Sequence, residues 1–201
     1  MRVSRETQER LRAFALDLVK WNGAINLVAK STLNEIWSRH ILDSAQVFDA
    51  APSGVKRWCD MGSGGGLPGV VSAIIALERE PELNIILIES DRRKAAFLKL
   101  QIGKHGLNAR VLQQRIEESP PCVADVVSAR ALAPLTPLLV YAHRHLVAGG
   151  TALFLKGKSC HEEVDVARRT WQFDLECKSS KTDANGCVLI VKNLRTLERQ
   201  P

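Results

Sequence analysis

The stretch Asp60-Met61-Gly62-Ser63-Gly64-Gly65-Gly66-Leu67-Pro68-Gly69 decides the fold. Five of its last eight residues are glycine, a residue that tolerates positive φ and lets another molecule approach the backbone closely. Val55–Met61, just before it, reads as a strand; Pro68 to about Arg79, just after it, reads as a helix with proline near its start. A strand, a glycine-rich turn and a helix form the repeating unit of a doubly wound α/β sheet, and such turns lie at the sheet edge where ligands bind. The start of the helix should offer unpaired N–H groups to ligand acceptor atoms such as a carboxylate.

Downstream the alternation continues. Ile85-Ile86-Leu87-Ile88 is wholly apolar, as expected of a strand covered by helices on both faces. Arg92–His105 reads as a helix ended by Gly106, with strands following at Arg110–Leu112 and Ala124–Ser128. Thr136–Val147 reads as a helix stopped by Gly149-Gly150, and Thr151–Leu155 as a fifth strand. A helix from about His161 to Arg169 leads to Trp171–Lys178, the turn Asp183-Ala184-Asn185-Gly186, and Cys187–Lys192. Two strands joined by that turn make the last one antiparallel to its neighbour.

Upstream, Leu11, Phe14, Ala15 and Leu18 share one face of a helix over residues 5–20. Trp21–Val28 is an irregular connection. Thr32-x-x-Glu35 has the form of a capping box opening a helix that runs to about Phe48, with Ile36, Ile41, Ala45 and Phe48 on its apolar face. Pro52-Ser53-Gly54 marks a boundary. The chain thus divides into a helical extension, residues 1–54, and a Rossmann-like domain, residues 55–201. The fold class is α/β, a doubly wound and mostly parallel sheet closed by an antiparallel hairpin. By fold analogy that ending favours class I methyltransferases over nicotinamide dehydrogenases.

Composition sets the outer bounds. Of 201 residues, 45% are hydrophobic and 25% charged, the balance of a globular protein. No apolar run approaches the roughly 20 residues that span a bilayer, and Met1–Glu6 opens no signal sequence. Five cysteines lie far apart with no C-x-x-C pair, which speaks against a disulfide framework or a zinc site of usual spacing, so no metal is expected. These features describe a reduced, cytoplasmic protein off the membrane. The formal charge of +6 suits a polyanionic partner but does not name one.

Two ligand fingerprints fit the glycine-rich turn. Gly64-x-Gly66-x-x-Gly69, with Glu89 twenty residues on, satisfies the dinucleotide pattern, and an acidic residue followed by alternating glycines from Asp60 satisfies the methyltransferase one. Both place Glu89 at the end of the second strand, where its two oxygens can accept from ribose hydroxyls. Arg115-Ile116-Glu117 follows the third strand, where this fold class borders adenine. Ser128–Leu135 follows the fourth, where an acceptor substrate arrives; Arg130 there could face substrate or cofactor, or form a buried ion pair. Arg39-His40-x-x-Asp43-Ser44 gathers polar groups at helical spacing, which by itself describes a solvated face with an Arg39–Asp43 pair.

Taken together, these segments resemble the RsmG (GidB) family of bacterial ribosomal RNA methyltransferases. The resemblance rests on Asn26-Leu27, Arg39-His40-Ile41-Leu42-Asp43-Ser44, Asp60–Gly69 with its Gly-Leu-Pro-Gly ending, and Ala129-Arg130-Ala131. Lys94, Phe97-Leu98 and Leu155-Lys156-Gly157 also match, so it runs from about residue 20 to 192. Val28 departs from it, because many members carry a hydroxyl residue there. The resemblance implies transfer of a methyl group from S-adenosylmethionine to N7 of a guanine in the decoding region of 16S ribosomal RNA. It implies cofactor contacts from Gly62, Leu67, Ile116, Glu117 and Arg130, to which the turn and ribose arguments add Asp60, Gly64, Gly66 and Glu89. Arg39, His40, Arg130 and Lys156 are the expected RNA-side residues. No catalytic side chain is expected, because N7 carries a lone pair and no proton. The partner is 16S rRNA or the small ribosomal subunit, bound by a monomer. The rival readings are a methyltransferase for a protein or small molecule, a nicotinamide-dependent oxidoreductase, and a non-catalytic RNA-binding module.

Overall fold

Strand β1 (Arg57–Met61) occupies the middle of the sheet, parallel to β2 (Asn84–Ile88) on one side and β4 (Ala124–Arg130) on the other. In a computed structural model, which describes residues 2–197, β3 (Ala109–Leu112) extends the sheet beyond β2. β5 (Leu146–Lys156) extends it beyond β4. β7 (Cys187–Thr196) then runs antiparallel to β5, and β6 (Trp171–Ser179) forms the edge. Among the described residues this is one seven-stranded sheet of order β3-β2-β1-β4-β5-β7-β6. The order reverses beside β1, which opens a crevice at the carboxyl ends of β1 and β4.

Burial follows the apolar pattern. β1 and β2 are buried from their second residue on, since helices cover both faces. On one face, α3 (Gly69–Arg79) and α4 (Arg92–His105) share a core with α1 (Arg5–Asn22) and α2 (Asp43–Ala50). Leu11, Phe14 and Leu18 of α1 are fully buried in it. The N-terminal segment is therefore packed into the sheet's own core. On the other face lie α5 (Leu135–His145) and α6 (Cys160–Ala167). Gly106 closes α4 in the left-handed region, φ 62°, as its place after a helix suggests.

Two sequence expectations are corrected. Thr32 and Glu35 form no capping box: Lys30–Glu35 is a 3-10 turn and Trp37–Leu42 a π-helical one, neither with a side-chain cap. The Thr32 hydroxyl is spent on the Ala29 carbonyl and on His40 Nε2 instead. Nor does Gly149-Gly150 stop a helix. α5 already ends at His145, and the glycines lie inside β5, where the register to β4 shifts between Ala124 and Val126. A bulge there wants a residue free to take positive φ, and Gly149 sits at 77°. No helix among the described residues is long and apolar enough to cross a membrane.

Candidate functional site

A cleft of about 700 Å³ opens at the carboxyl edge of β1, β2 and β4. The glycine-rich turn forms its floor, with Gly62, Gly64 and Leu67 on the lining. Gly64 is at φ 55°, and a Cβ built there meets nothing closer than the Gly62 carbonyl at 3.8 Å, so a side chain would stand in open cleft space. Its N–H donates to Glu89 Oε2 at 2.8 Å, while Glu89 Oε1 accepts from the Asp91 N–H at 2.7 Å. The carboxylate, 8% exposed, is thus fixed by two backbone amides. Each oxygen keeps a further lone pair for a hydroxyl.

Asp60 and Gly66 stand behind this surface. Asp60 is fully buried: Oδ2 accepts the Gly69 N–H at 3.1 Å, and Oδ1 accepts the Ser128 hydroxyl at 2.6 Å. Burial pushes its pKa up to about 6, against the pull of those hydrogen bonds and with a small push from Glu89. Gly66, at φ 84°, has Val70 Cγ2 where a Cβ would lie, 2.5 Å away, so it is a packing glycine under α3. These two residues also overturn the expected free helix N-terminus. Asp60 takes the first N–H of α3, and the Gly66 carbonyl takes the next, from Val70, at 2.8 Å. The carboxylate serves as a remote cap for α3.

On the β3 side, Ile116 and Glu117 line the cleft from the segment between β3 and β4. On the β4 side, Arg130 reaches back to the N-terminal segment. Its Nη2 donates to the Arg39 carbonyl and to His40 Nδ1, each at 2.8 Å. His40 Nε2 meets the Thr32 hydroxyl at 2.7 Å. That hydroxyl gives its proton to Ala29, so it accepts from the ring, and the ring is the neutral Nε2–H tautomer. Burial, then the Arg130 charge, lowers the His40 pKa to about 4. Arg130 lines the cleft, and its Nη1 is buried with no protein partner. Such a donor is costly unless a ligand meets it.

Arg39 and Lys156 lie outside the lining. Arg39 does not pair with Asp43; its Nη2 lies 3.7 Å from Asp183 Oδ2. Asp43 instead accepts from Ser180, Thr182 and Gln46, because the π-helical turn breaks the four-residue register an ion pair needs. The Lys156 ammonium, its side chain 9% exposed, bonds Glu163 at 2.6 Å and the Ala133 carbonyl at 2.8 Å. Glu163 also accepts the Leu135 N–H, so this pair fastens the 131–135 turn from behind.

Other features escape a linear reading. Leu27 and Val28 line the cleft, held there by Asn22 Oδ1, which accepts both their N–H groups. The Asn26-Leu27 motif marked this stretch, but the role of Asn22, at the end of an amphipathic helix, was not read from the sequence. Cys59, Cys122 and His145, far apart in sequence, bring their donor atoms within 4.8 Å of one another. The imidazole there is already engaged on both nitrogens, by the Cys122 N–H and the Ile116 carbonyl.

The residues around this cleft fit an adenosyl ligand with a carboxylate tail: an apolar side chain at Ile116, a fixed carboxylate at Glu89, an open floor at Gly64, and the orphaned Arg130 donor. Among solved structures, the fold resembles a TehB-like SAM-dependent methyltransferase from Corynebacterium glutamicum, with a TM-score of 0.57 at 15% identity over 92% of this chain and 99% of that one. It also resembles TYW2 of P. horikoshii in complex with MeSAdo, with a TM-score of 0.57 at 16% identity over 80% and 63%. The chain is 50% identical over 192 residues to ribosomal RNA small subunit methyltransferase G of Ruegeria sp. (strain TM1040), covering 96% of this chain and 93% of the relative. The corresponding protein of Paracoccus denitrificans is 46% identical over 97% and 99%. Residues 7–188 match the GidB model, described as rRNA small subunit methyltransferase G. The chain therefore belongs to the GidB family.

Proposed function

We propose that this protein transfers the methyl group of S-adenosylmethionine to N7 of a guanine in the decoding region of 16S ribosomal RNA. The observation that carries the reading is 50% identity across 96% of the chain to a small-subunit methyltransferase. The cofactor supplies a methyl group on a sulfonium, which departs with its bonding electrons left on sulfur. Glu89 would take the ribose hydroxyls, Ile116 the adenine face, and Glu117 its polar edge. Gly62, Gly64 and Leu67 would form the floor, with Asp60 and Gly66 holding the turn from beneath. Arg130 Nη1 would meet the cofactor's carboxylate. The His40 side of the cleft mouth would receive RNA, with Arg39 at its rim and Lys156 holding the 131–135 turn that faces it.

Guanine N7 has a free lone pair and no proton, so attack needs orientation and no base. N7 faces the deep groove of A-form RNA, so the guanine must be unpaired or flared to enter. The N-terminal segment, residues 1–54, belongs to this reading as the wall that brings His40 to the domain of residues 55–201. The protein would act as a monomer in the cytoplasm, off the membrane, where small subunits are made. The test is methyl transfer to small subunits from cells lacking this enzyme, read by mass spectrometry of digested rRNA. One 7-methylguanosine gained per subunit is expected. A methyl group on another atom, or none, overturns the reading.

A further inference from the structure

Residues 113–123 join β3 to β4 without a strand or helix of their own, and they carry Ile116 and Glu117 into the cleft. The segment's own turn is short: the Ser119 and Glu118 N–H groups return to the Arg115 carbonyl at 3.0 and 3.2 Å. What fixes it comes from α5, on the same face of the sheet. His145, the last residue of α5 and fully buried, meets the Ile116 carbonyl through Nε2 at 3.1 Å. Its Nδ1 accepts the Cys122 N–H at 3.3 Å. A carbonyl can only accept and an amide can only donate, so these partners fix the neutral Nε2–H ring. One imidazole thereby spans the segment, at the residue facing the cleft and two residues before the chain re-enters β4. The Ser119 hydroxyl adds a second donor to the Ile116 carbonyl at 2.9 Å, and neighbouring Arg144 holds the Ser119 carbonyl at 2.9 Å. The support is rigid, since Leu138, Leu139 and Ala142 bury α5 in the core and Leu146 pairs at once with Ala124.

From this we propose that His145 is a positioning residue for the adenine side of the cofactor site, presetting the Ile116–Glu117 segment through its two backbone hydrogen bonds. The proposal rests on the cofactor reading above. The Cys122 thiol also lies within reach of the ring, but both ring nitrogens already have backbone partners, at 3.3 and 3.1 Å. A segment held before the ligand arrives need not be ordered at the ligand's expense, so the clamp acts on affinity. It does not touch the methyl or the guanine, and the chemical step should not feel it.

The experiment compares wild type with His145→Phe, which fills the space without the hydrogen bonds, and His145→Gln, whose amide can restore the donor to Ile116. S-adenosylmethionine binding is read by calorimetry, and methyl transfer to small subunits supplies kcat and KM. His145→Phe should raise Kd and KM for S-adenosylmethionine about tenfold, the worth of one or two hydrogen bonds. Its kcat at saturating cofactor should stay within about twofold, and His145→Gln should recover part of the affinity. Unchanged Kd in a folded variant, or a fall in kcat with Kd kept, overturns the clamp. If His145→Phe does not fold, His145→Leu decides by the same readings: a raised Kd supports the clamp and an unchanged Kd overturns it. Failure of the wild type itself to bind would overturn the cofactor reading and the clamp with it.

Discussion

The Arg130 guanidinium and the His40 imidazole meet at 2.8 Å, with Nη2 donating to Nδ1, and this contact ties β4 to the N-terminal segment across the mouth of the cleft. It leaves Nη1 free of protein partners. If that nitrogen holds the cofactor's carboxylate, Arg130→Met should weaken S-adenosylmethionine binding by about 1.5–3 kcal/mol, the range for a hydrogen bond to a charged group. His40→Phe leaves Arg130 present but unsupported, so its loss should be smaller, about 1 kcal/mol. Calorimetry checks both. Unchanged cofactor affinity in Arg130→Met, with a raised KM for the ribosomal substrate, would move Arg130 to the RNA side.

Glu89 and Gly64 make a second test, because each reads a different property of the floor. Glu89→Ala removes the acceptor for the Gly64 and Asp91 amides as well as for the ribose, so binding should weaken by roughly 1.5–3 kcal/mol. Gly64→Asp places a side chain in the open cleft at a positive φ that costs on the order of 1 kcal/mol. It should fold and fail to bind. Normal affinity in a folded Gly64→Asp protein would show that the ligand does not lie over this turn.

The parts of this architecture that follow one-dimensional rules were legible in the sequence. Ile85–Ile88 reads as a buried strand because it is apolar throughout, and Gly106 as a helix end because only a left-handed residue closes that turn cheaply. What stayed hidden depends on partners distant in the chain. Asp60 has the right spacing for a ligand contact, yet it caps α3 from beneath, since its neighbours are Gly69 and Ser128 in space. Thr32 and Glu35 satisfy the capping-box spacing, but the Thr32 hydroxyl has a better use on His40. Lys156 was expected on the RNA side, and its pairing with Glu163, seven residues on, could not be read from the motif.

The buried Asp60 carboxyl gives a pH signature in stability. Its folded pKa is raised to about 6 from an ordinary 3.8, so between those values the folded state holds more protons than the unfolded one. The stabilisation is complete below the unfolded value and is lost as pH rises through about 6, a difference of about 3 kcal/mol at most. Asp60→Asn cannot ionise and should lack that loss. Urea unfolding of both proteins at roughly pH 5 and pH 8 should show the gap moving in the variant's favour at the higher pH. A gap that does not change with pH would mean that the carboxyl is ionised across the range.

Salt separates the two ligands. The chain carries a formal charge of +6, and an RNA partner brings phosphates whose counterions are released on binding. Substrate affinity should fall steeply as salt rises, with a log–log slope of about −0.7 for each single-strand phosphate contacted. Cofactor affinity should change far less, since its pocket works through short contacts. A flat salt response for the ribosomal substrate would remove the electrostatic part of RNA recognition.

The pH profile of methyl transfer follows from the two perturbed groups, His40 and Asp60, together. A general base near the reacting atom would leave its pKa in the pH dependence of the chemical step. His40 is the imidazole closest to this role, but Arg130 donates to one nitrogen and Thr32 accepts from the other. With its pKa lowered to about 4 it is neutral throughout the physiological range and has no change of state left to make there. Asp60, at about 6, titrates just below that window and is sealed under the turn. Attack by N7 releases no proton. Single-turnover methyl transfer at saturating RNA and cofactor should therefore vary little from roughly pH 6.5 to 8.5, where an ordinary histidine base would titrate. His40→Ala should lower the rate, by loosening Arg130, without altering the shape of the profile. A tenfold rise per pH unit that vanishes in His40→Ala would reveal proton abstraction, and the acceptor would then be an amino or hydroxyl group.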